Sequence, residues 1–225
     1  MMAIPKQGPV VAIDGPAGTG KSSVTKELAR RLDFTHVDTG ALYRCIAWLS
    51  LEKATSGDES ELTQLASNAH IEFANDRIIV NGTDVTDAIR TERIGMQASR
   101  VSSVPGVRAA LLGQQRRLGC QGRTILEGRD IGTVIFPDAD IKFFLTASSR
   151  VRAERRLQDL KSSGDHKTRL EDLIRQIDER DQADATRKAA PLKRAKDALL
   201  IDTSDRSFEE VVTDLEATVK KQLGL

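Results

Sequence analysis

The chain has 225 residues, 39% of them hydrophobic and 30% charged, with a formal net charge of +1. That length and balance allow one α/β domain with insertions and a sizeable core. The near-neutral charge and the 4% aromatic content argue against a nucleic-acid-binding protein, which wants a basic face and stacking platforms. No run of about 18 apolar residues is present to span a membrane, and residues 1–9 lack the charged-then-apolar layout of a secretion signal. Cys45 and Cys120 stand far apart without metal-ligand spacing. Two reduced structural thiols in a cytoplasmic protein are therefore expected.

V-V-A-I at residues 10–13 is a short β-branched run that predicts a buried strand. Residues 15–22 then read G-P-A-G-T-G-K-S, and the spacing of Val24, Leu28 and Leu32 predicts a helix starting at Lys21. H-V-D at 36–38 reads as the end of a second strand, followed by a helix over 40–51. Between residues 56 and 91 the alternation breaks into polar stretches with strand-like pieces, I-E-F at 71–73 and R-I-I-V at 77–80, the second followed by the turn signal Asn81-Gly82. This segment predicts a small inserted subdomain. T-I-L-E at 124–127, I-K-F-F-L at 141–145 and A-L-L-I-D at 198–202 predict further strands, and S-S-G-D at 162–165 a turn between two charged helices. Strands alternating with helices imply a parallel sheet covered on both faces, with ligands bound beyond the carboxyl ends of its strands.

The glycine-rich segment sits at such a strand end. Gly15, Pro16, Ala17, Gly18, Thr19, Gly20, Lys21 and Ser22 match a phosphate-binding loop. Successive backbone N–H groups must converge on phosphate oxygens there, and glycines keep side chains out of the way. The helix that follows aims its unpaired N–H groups and positive dipole end at the anion. Lys21 is placed to reach the β- and γ-phosphates, and the Ser22 hydroxyl to ligate Mg²⁺. An ordinary strand-to-helix turn is the bland alternative, but the strand before and the helix after favour the nucleotide loop. A GTP-driven switch would want N-K-x-D, which is absent, and Asp130-Ile-Gly-Thr133 does not match D-x-x-G. A small-molecule kinase, which must also bind an acceptor, is what remains.

Phosphoryl transfer relies on positioning and charge neutralisation, for which the planar fork of arginine suits two phosphate oxygens at once. Arg44, Arg108, Arg129, Arg180, Arg187 and the group Arg152, Arg155 and Arg156 are the candidates. For the last three a solvated helix face competes with a site role. Arg129 directly follows a strand. Asp38 does too, with helix capping as its alternative. His36, His70 and His166 sit in dissimilar contexts, and structural or solvated roles are expected for them.

With these residues in view the chain resembles the bacterial cytidylate kinases, the CMP/dCMP kinases of the P-loop nucleoside monophosphate kinase family. The resemblance runs over residues 10–207 and rests on the loop at 15–22, D-T-G-A-L-Y-R at 38–44 and A-S-x-V-S-x-x-P-x-V-R at 98–108. It continues through E-G-R-D-I-G-T-V-I-F-P-D-A at 127–139, S-S-R-V-R-A-E-R-R at 148–156, E-R-D at 179–181 and A-P-L at 190–192. It implies an α/β P-loop NTPase fold: a parallel central sheet flanked by helices, with an inserted monophosphate-binding subdomain and a short helical lid. The implied division of this single domain is a core of 8–55, 92–147 and 190–225, an insert of 56–91, and a lid with flanking helices over 148–189.

The implied reaction moves a phosphoryl group from ATP to CMP or dCMP, with Mg²⁺ accompanying ATP. The implied ATP set is residues 15–22 as named above, with Ser23 and Arg152. Ser99, Arg108 and Asp130 would meet the cytosine edge. Tyr43, Arg44, Arg129 and Arg187 would hold the monophosphate, with Asp38 and Thr39 beside the acceptor. Arg180 and Asp184 would meet the sugar. Lys21, Arg129, Arg187, Arg155 and Arg156 would act in catalysis, Ser22 would be the metal ligand, and the loop after Thr203 would lie by adenine. A monomeric cytoplasmic enzyme without nucleic-acid or membrane partners is expected.

Overall fold

The computed structural model describes residues 5–74, 77–162, 164 and 166–225. Residues 1–4, Asn75 and Asp76 of the expected insert, and Ser163 and Asp165 of the expected 162–165 turn lie outside the described residues. In chain order the elements begin with β1 (Val10–Asp14), α1 (Lys21–Leu32), β2 (Thr35–Asp38), α2 (Thr39–Glu52) and α3 (Glu59–Asn68). Then come β3 (Ile71–Ala74), β4 (Arg77–Val80), β5 (Thr83–Asp84), α4 (Glu92–Ser103), α5 (Pro105–Gly119) and β6 (Thr124–Gly128). The chain continues through β7 (Ile141–Thr146), α6 (Ser149–Ser162), α7 (Leu170–Thr186), β8 (Leu199–Asp202) and α8 (Phe208–Leu223). The residues form two compact units, Met1–Val37 with Leu118–Leu225, and Asp38–Arg117.

The first unit is built on a five-stranded parallel sheet in the order β2-β6-β1-β7-β8. β1 lies in the middle, with Val11 opposite Ile125 on one side and Ile141 on the other. All five of its residues are buried, which is why it reads as an unbroken apolar run rather than an alternating one. α1 turns Val24, Leu28 and Leu32 onto this sheet, and α8 adds Val211, Val212, Leu215 and Val219 to the same core. Burying a side chain such as Leu28 contributes roughly 1.5–3 kcal/mol. A capping box closes the head of α8, with Ser207 and Glu210 satisfying each other's backbone N–H groups. Arg31 of α1 reaches Glu209 and Glu216 of α8. The expected two-sided cover thins at β8, an edge strand where Leu199 and Leu200 are exposed.

The second unit starts with Asp38, whose side chain accepts from Ala41 N at the head of α2. α4 packs against α2, and Gln97 of α4 donates to Ser50 Oγ at 3.1 Å. The strand-like pieces form an antiparallel sheet β3-β4-β5, with Ile71 paired to Val80. Asn81 and Gly82 carry φ of 49° and 83° between directly paired strands. That makes a two-residue turn of the left-handed kind that suits strand twist. α3 and β5 were not read from sequence. Only Leu62 and Ala66 of α3 are buried, an apolar stripe too narrow to show as helical periodicity, although Asp58 caps the helix by accepting from Glu61 N. A turn of π-helix, Ile131–Ile135, was also unforeseen.

Candidate active site

β1 delivers the chain into the phosphate loop with Gly15, Gly18 and Gly20 at φ of 150°, 77° and 83°. A Cβ on Gly15 would stand 2.0 Å from Leu145 O, so the loop needs glycine there on steric as well as conformational grounds. Gly20 offers no side-chain cap to α1, which leaves the first N–H groups of the helix for an anion. Lys21 is buried, and its Nζ donates to Pro16 O at 2.6 Å, with Thr19 Oγ1 3.4 Å away. Burial first, and then the neighbouring Arg129 cation, hold its pKa well below the ordinary amine range, against the pull of Glu127 and Asp14. Arg180 adds to the same lowering. Three positive groups thus share one neighbourhood at the carboxyl end of the sheet.

Ser22 Oγ donates to Glu127 Oε2 at 2.7 Å, and His36 Nε2 lies 2.9 Å from Glu127 Oε1. Because the serine proton is committed to Glu127, the lone pairs of Oγ remain for a hard cation, so this donor set fits Mg²⁺. Among the described residues no group of three His, Cys, Asp or Glu side chains could hold a metal. A cation at Ser22 would therefore take most of its oxygens from phosphate and water. Ser23 is exposed on the first turn of α1. His70, by contrast with His36, pairs with Glu72 on the exposed surface.

Asp14, at the end of β1, accepts from the amides of Ile131 and Gly132, both at 2.8 Å. It thereby ties the phosphate-loop strand to the segment just after Arg129 and Asp130. Burial pushes its carboxyl up to about 6, opposed by those two amides. Neither Asp14 nor Glu127 was assigned a role from sequence. The available signals were a carboxylate directly preceding the glycine loop and another directly preceding G-R-D.

Arg129 Nε donates to Asp184 Oδ2 at 3.2 Å. Arg187 stands 3.7 Å from both Asp130 Oδ1 and Asp184 Oδ1, and its Nε donates to Ala190 O at 2.6 Å. Asp130 and Asp184 are buried, which is tolerable for carboxylates only with such cationic partners. Leu192 N donates to Asp184 O, so the A-P-L segment closes the end of α7. Arg129, Asp130, Asp184 and Arg187, scattered over 59 sequence positions, are therefore one charge network.

The three candidate arginines of α6 have separate fates. Arg152 is buried and engaged on every side, which removes the solvated-face alternative for it. Arg155 donates to Thr203 Oγ1 and Thr203 O at 3.1 and 2.6 Å, while Thr203 Oγ1 itself lies 3.3 Å from Thr19 O. Arg156 is exposed.

In the second unit, Asp38 both caps α2 and meets Arg90 NH1 at 3.0 Å, a partner absent from the sequence reading. Thr39 is buried at the first position of the helix. Arg44 NH1 donates to Ile89 O at 2.8 Å and passes over Gly95, where a Cβ would lie 3.4 Å from its other terminal nitrogen. The Arg108 guanidinium lies 5.3 Å from the centre of the Tyr43 ring and donates to Ser102 O. Gln115 Nε2 donates to the Tyr43 hydroxyl at 3.4 Å. Ser99 is half-buried on α4.

The family model for cytidylate kinase matches residues 11–221. A cytidylate kinase of Citrifermentans bemidjiense is 48% identical over 230 aligned positions, covering 100% of this chain and 98% of that protein. One of Geobacter sp. strain M21 gives the same identity and coverage. Among solved structures, a gluconokinase from Sinorhizobium meliloti 1021 superposes with a TM-score of 0.50 at 14% identity, covering 97% of this chain and 94% of that one. At that identity the likeness concerns the fold, a parallel sheet flanked by helices. The full-length sequence match carries the assignment: the chain belongs to the cytidylate kinase family.

Proposed function

We infer that this protein transfers the γ-phosphoryl group of ATP to CMP or dCMP, giving ADP and CDP or dCDP. The observation that carries the reading is the buried Lys21 ammonium, lowered in pKa first by burial and then by the adjacent Arg129 cation, with Arg180 adding to the same effect. Such a cluster is costly when empty and is relieved by a polyanion, which is what two phosphorylated substrates bring. Lys21 then turns from Pro16 O to the β- and γ-phosphates. Ser22, together with the nucleotide, would hold Mg²⁺, which would supply further charge neutralisation when bound. The remaining loop residues and Ser23 belong with ATP, and Arg155 and Arg156 stabilise the transferring group.

Within the first unit, Arg129 and Arg187 hold the acceptor phosphate, Asp130 accepts from the cytosine amino group, and Arg180 and Asp184 bind the sugar. In the second unit, Ser99 and Arg108 donate to the base, whereas Tyr43, Arg44, Asp38 and Thr39 serve the monophosphate. The acceptor oxygen is already ionised, so no general base is needed, which agrees with the absence of a histidine from the proposed set. The insert of 56–91 and the lid of 148–189 complete this reading. We extend it to a monomer in the cytoplasm, where Cys45 and Cys120, both buried free thiols, stay reduced. Among the described residues, no helix is long and apolar enough to cross a membrane.

The test is ADP release measured by a coupled assay across CMP, dCMP, UMP, AMP and dTMP. CMP and dCMP should stimulate turnover most. Stronger stimulation by another monophosphate would replace the acceptor, and no stimulation by any of them would remove the kinase reading.

A further inference from the structure

Arg152 is 4% exposed, and its guanidinium fastens separate segments of the first unit. Nε donates to Ala147 O, just past β7, and NH1 to Ala17 O in the phosphate loop, both at 3.0 Å. NH2 meets Asp181 Oδ2 on α7 at 2.6 Å. The other oxygen of Asp181 is buried and has no hydrogen-bond partner among the described residues. The carboxylate therefore depends on Arg152 to offset its charge. Asp184 lies one helical turn further along α7 and pairs with Arg129 and Arg187, and Arg187 reaches Asp130. One turn of α7 thus joins two sets of charged contacts: Arg152 with Asp181, which reaches the backbone of the ATP loop, and Asp184 with Arg129, Arg187 and Asp130, four of the residues proposed above for CMP.

We propose that Asp181 is a positioning residue that, through Arg152, makes ATP and CMP binding cooperative. The physical route is short. Triphosphate binding selects one conformation of the loop, including the Ala17 peptide whose carbonyl Arg152 holds. Arg152 is buried and short of slack, so a change at Ala17 alters its grip on Asp181. α7 is a rigid helix, so its Asp184 end moves with its Asp181 end. A loop conformation that suits ATP can in this way favour the α7 position that suits CMP, which is the differential contact that coupling requires. Linkage makes the effect reciprocal: CMP must tighten ATP by the same factor.

The proposal rests on CMP being the acceptor, and the experiment separates the two. CMP is titrated calorimetrically into the full chain with and without a saturating, non-hydrolysable MgATP analogue, and the analogue with and without CMP. In the wild-type protein each ligand should tighten the other by at least about fivefold, the lower end of ordinary coupling. Asp181→Asn keeps the shape and removes the charge. It should reduce both factors to within about twofold while the affinity for CMP alone changes by less than about threefold, a pattern that general loss of structure does not produce. Asp181→Glu, which keeps the charge, should retain most of the coupling and serves as the deciding variant if the asparagine chain fails to fold. Binding of CMP without coupling in the wild type, or coupling undiminished in Asp181→Asn, overturns this proposal alone. Failure of CMP to bind at all overturns the acceptor assignment and this proposal with it.

Discussion

Asp14→Asn should change the stability of this protein in a pH-dependent way. The carboxyl is buried, accepts two backbone amides, and is pushed from its ordinary 3.8 to about 6, with burial the largest cause. Between those two values the folded state holds the Asp14 proton more tightly than the unfolded chain does. Stability from this group is therefore highest when it is protonated and falls as pH rises from 3.8 toward 6. The full loss is about 3 kcal/mol, and the part that falls between about pH 5 and about pH 7 is about 1.3 kcal/mol.

An asparagine in the same place cannot ionise, and its single acceptor oxygen leaves one of the two amides facing an NH₂ group. That should cost roughly 1–3 kcal/mol at a pH where the aspartate is protonated. The deficit should then narrow by about 1.3 kcal/mol on going from about pH 5 to about pH 7. Urea unfolding followed by circular dichroism, wild type beside variant at both pH values, measures it, and other titrating groups cancel in the difference. A deficit that stays constant would refute the reasoning. A deficit that widens would show that the two amides and Lys21 outweigh burial and hold Asp14 ionised.

Other expectations concern the site more directly. Lys21→Ala and Arg129→Ala should each lower turnover by at least about 100-fold, as expected for losing a main charge partner of the transferring group; near-normal kcat in either would remove that residue from the chemistry. Asp130→Ala should weaken CMP far more than ATP, and equal losses in the two binding titrations would take Asp130 out of the base pocket. Gly15→Ala forces a side chain onto a φ of 150° and brings a Cβ within 2.0 Å of Leu145 O. The conformational strain alone is worth about 1–3 kcal/mol, so a denaturant midpoint indistinguishable from wild type would contradict the loop geometry.

Much of the architecture was legible because it is written locally. The unbroken apolar run of β1, the helical spacing of α1 and the glycines at 15, 18 and 20 each express a constraint that acts within a few residues. Asn81-Gly82 declared its turn for the same reason, since only residues tolerant of positive φ suit it, although the short strand β5 that follows was not read. α3 escaped because its buried stripe consists of two residues, too few for a period to emerge.

The sequence by itself determined that a phosphate-binding type of glycine loop follows β1, that the strands form a parallel sheet, and which arginines are candidates for a phosphate site. Only the tertiary structure decided how those side chains are committed. Ser22 and Glu127 are 105 residues apart, and Asp14 and Ile131 are 117 apart. They meet because the sheet order sets β6 beside β1 and brings the strand ends to one edge. The same holds for Arg152, which sequence left divided between a solvated face and the ATP site. Its burial between Ala17, Ala147 and Asp181 follows from where α6 and α7 pack, and packing between distant segments leaves no periodic or local mark in the chain.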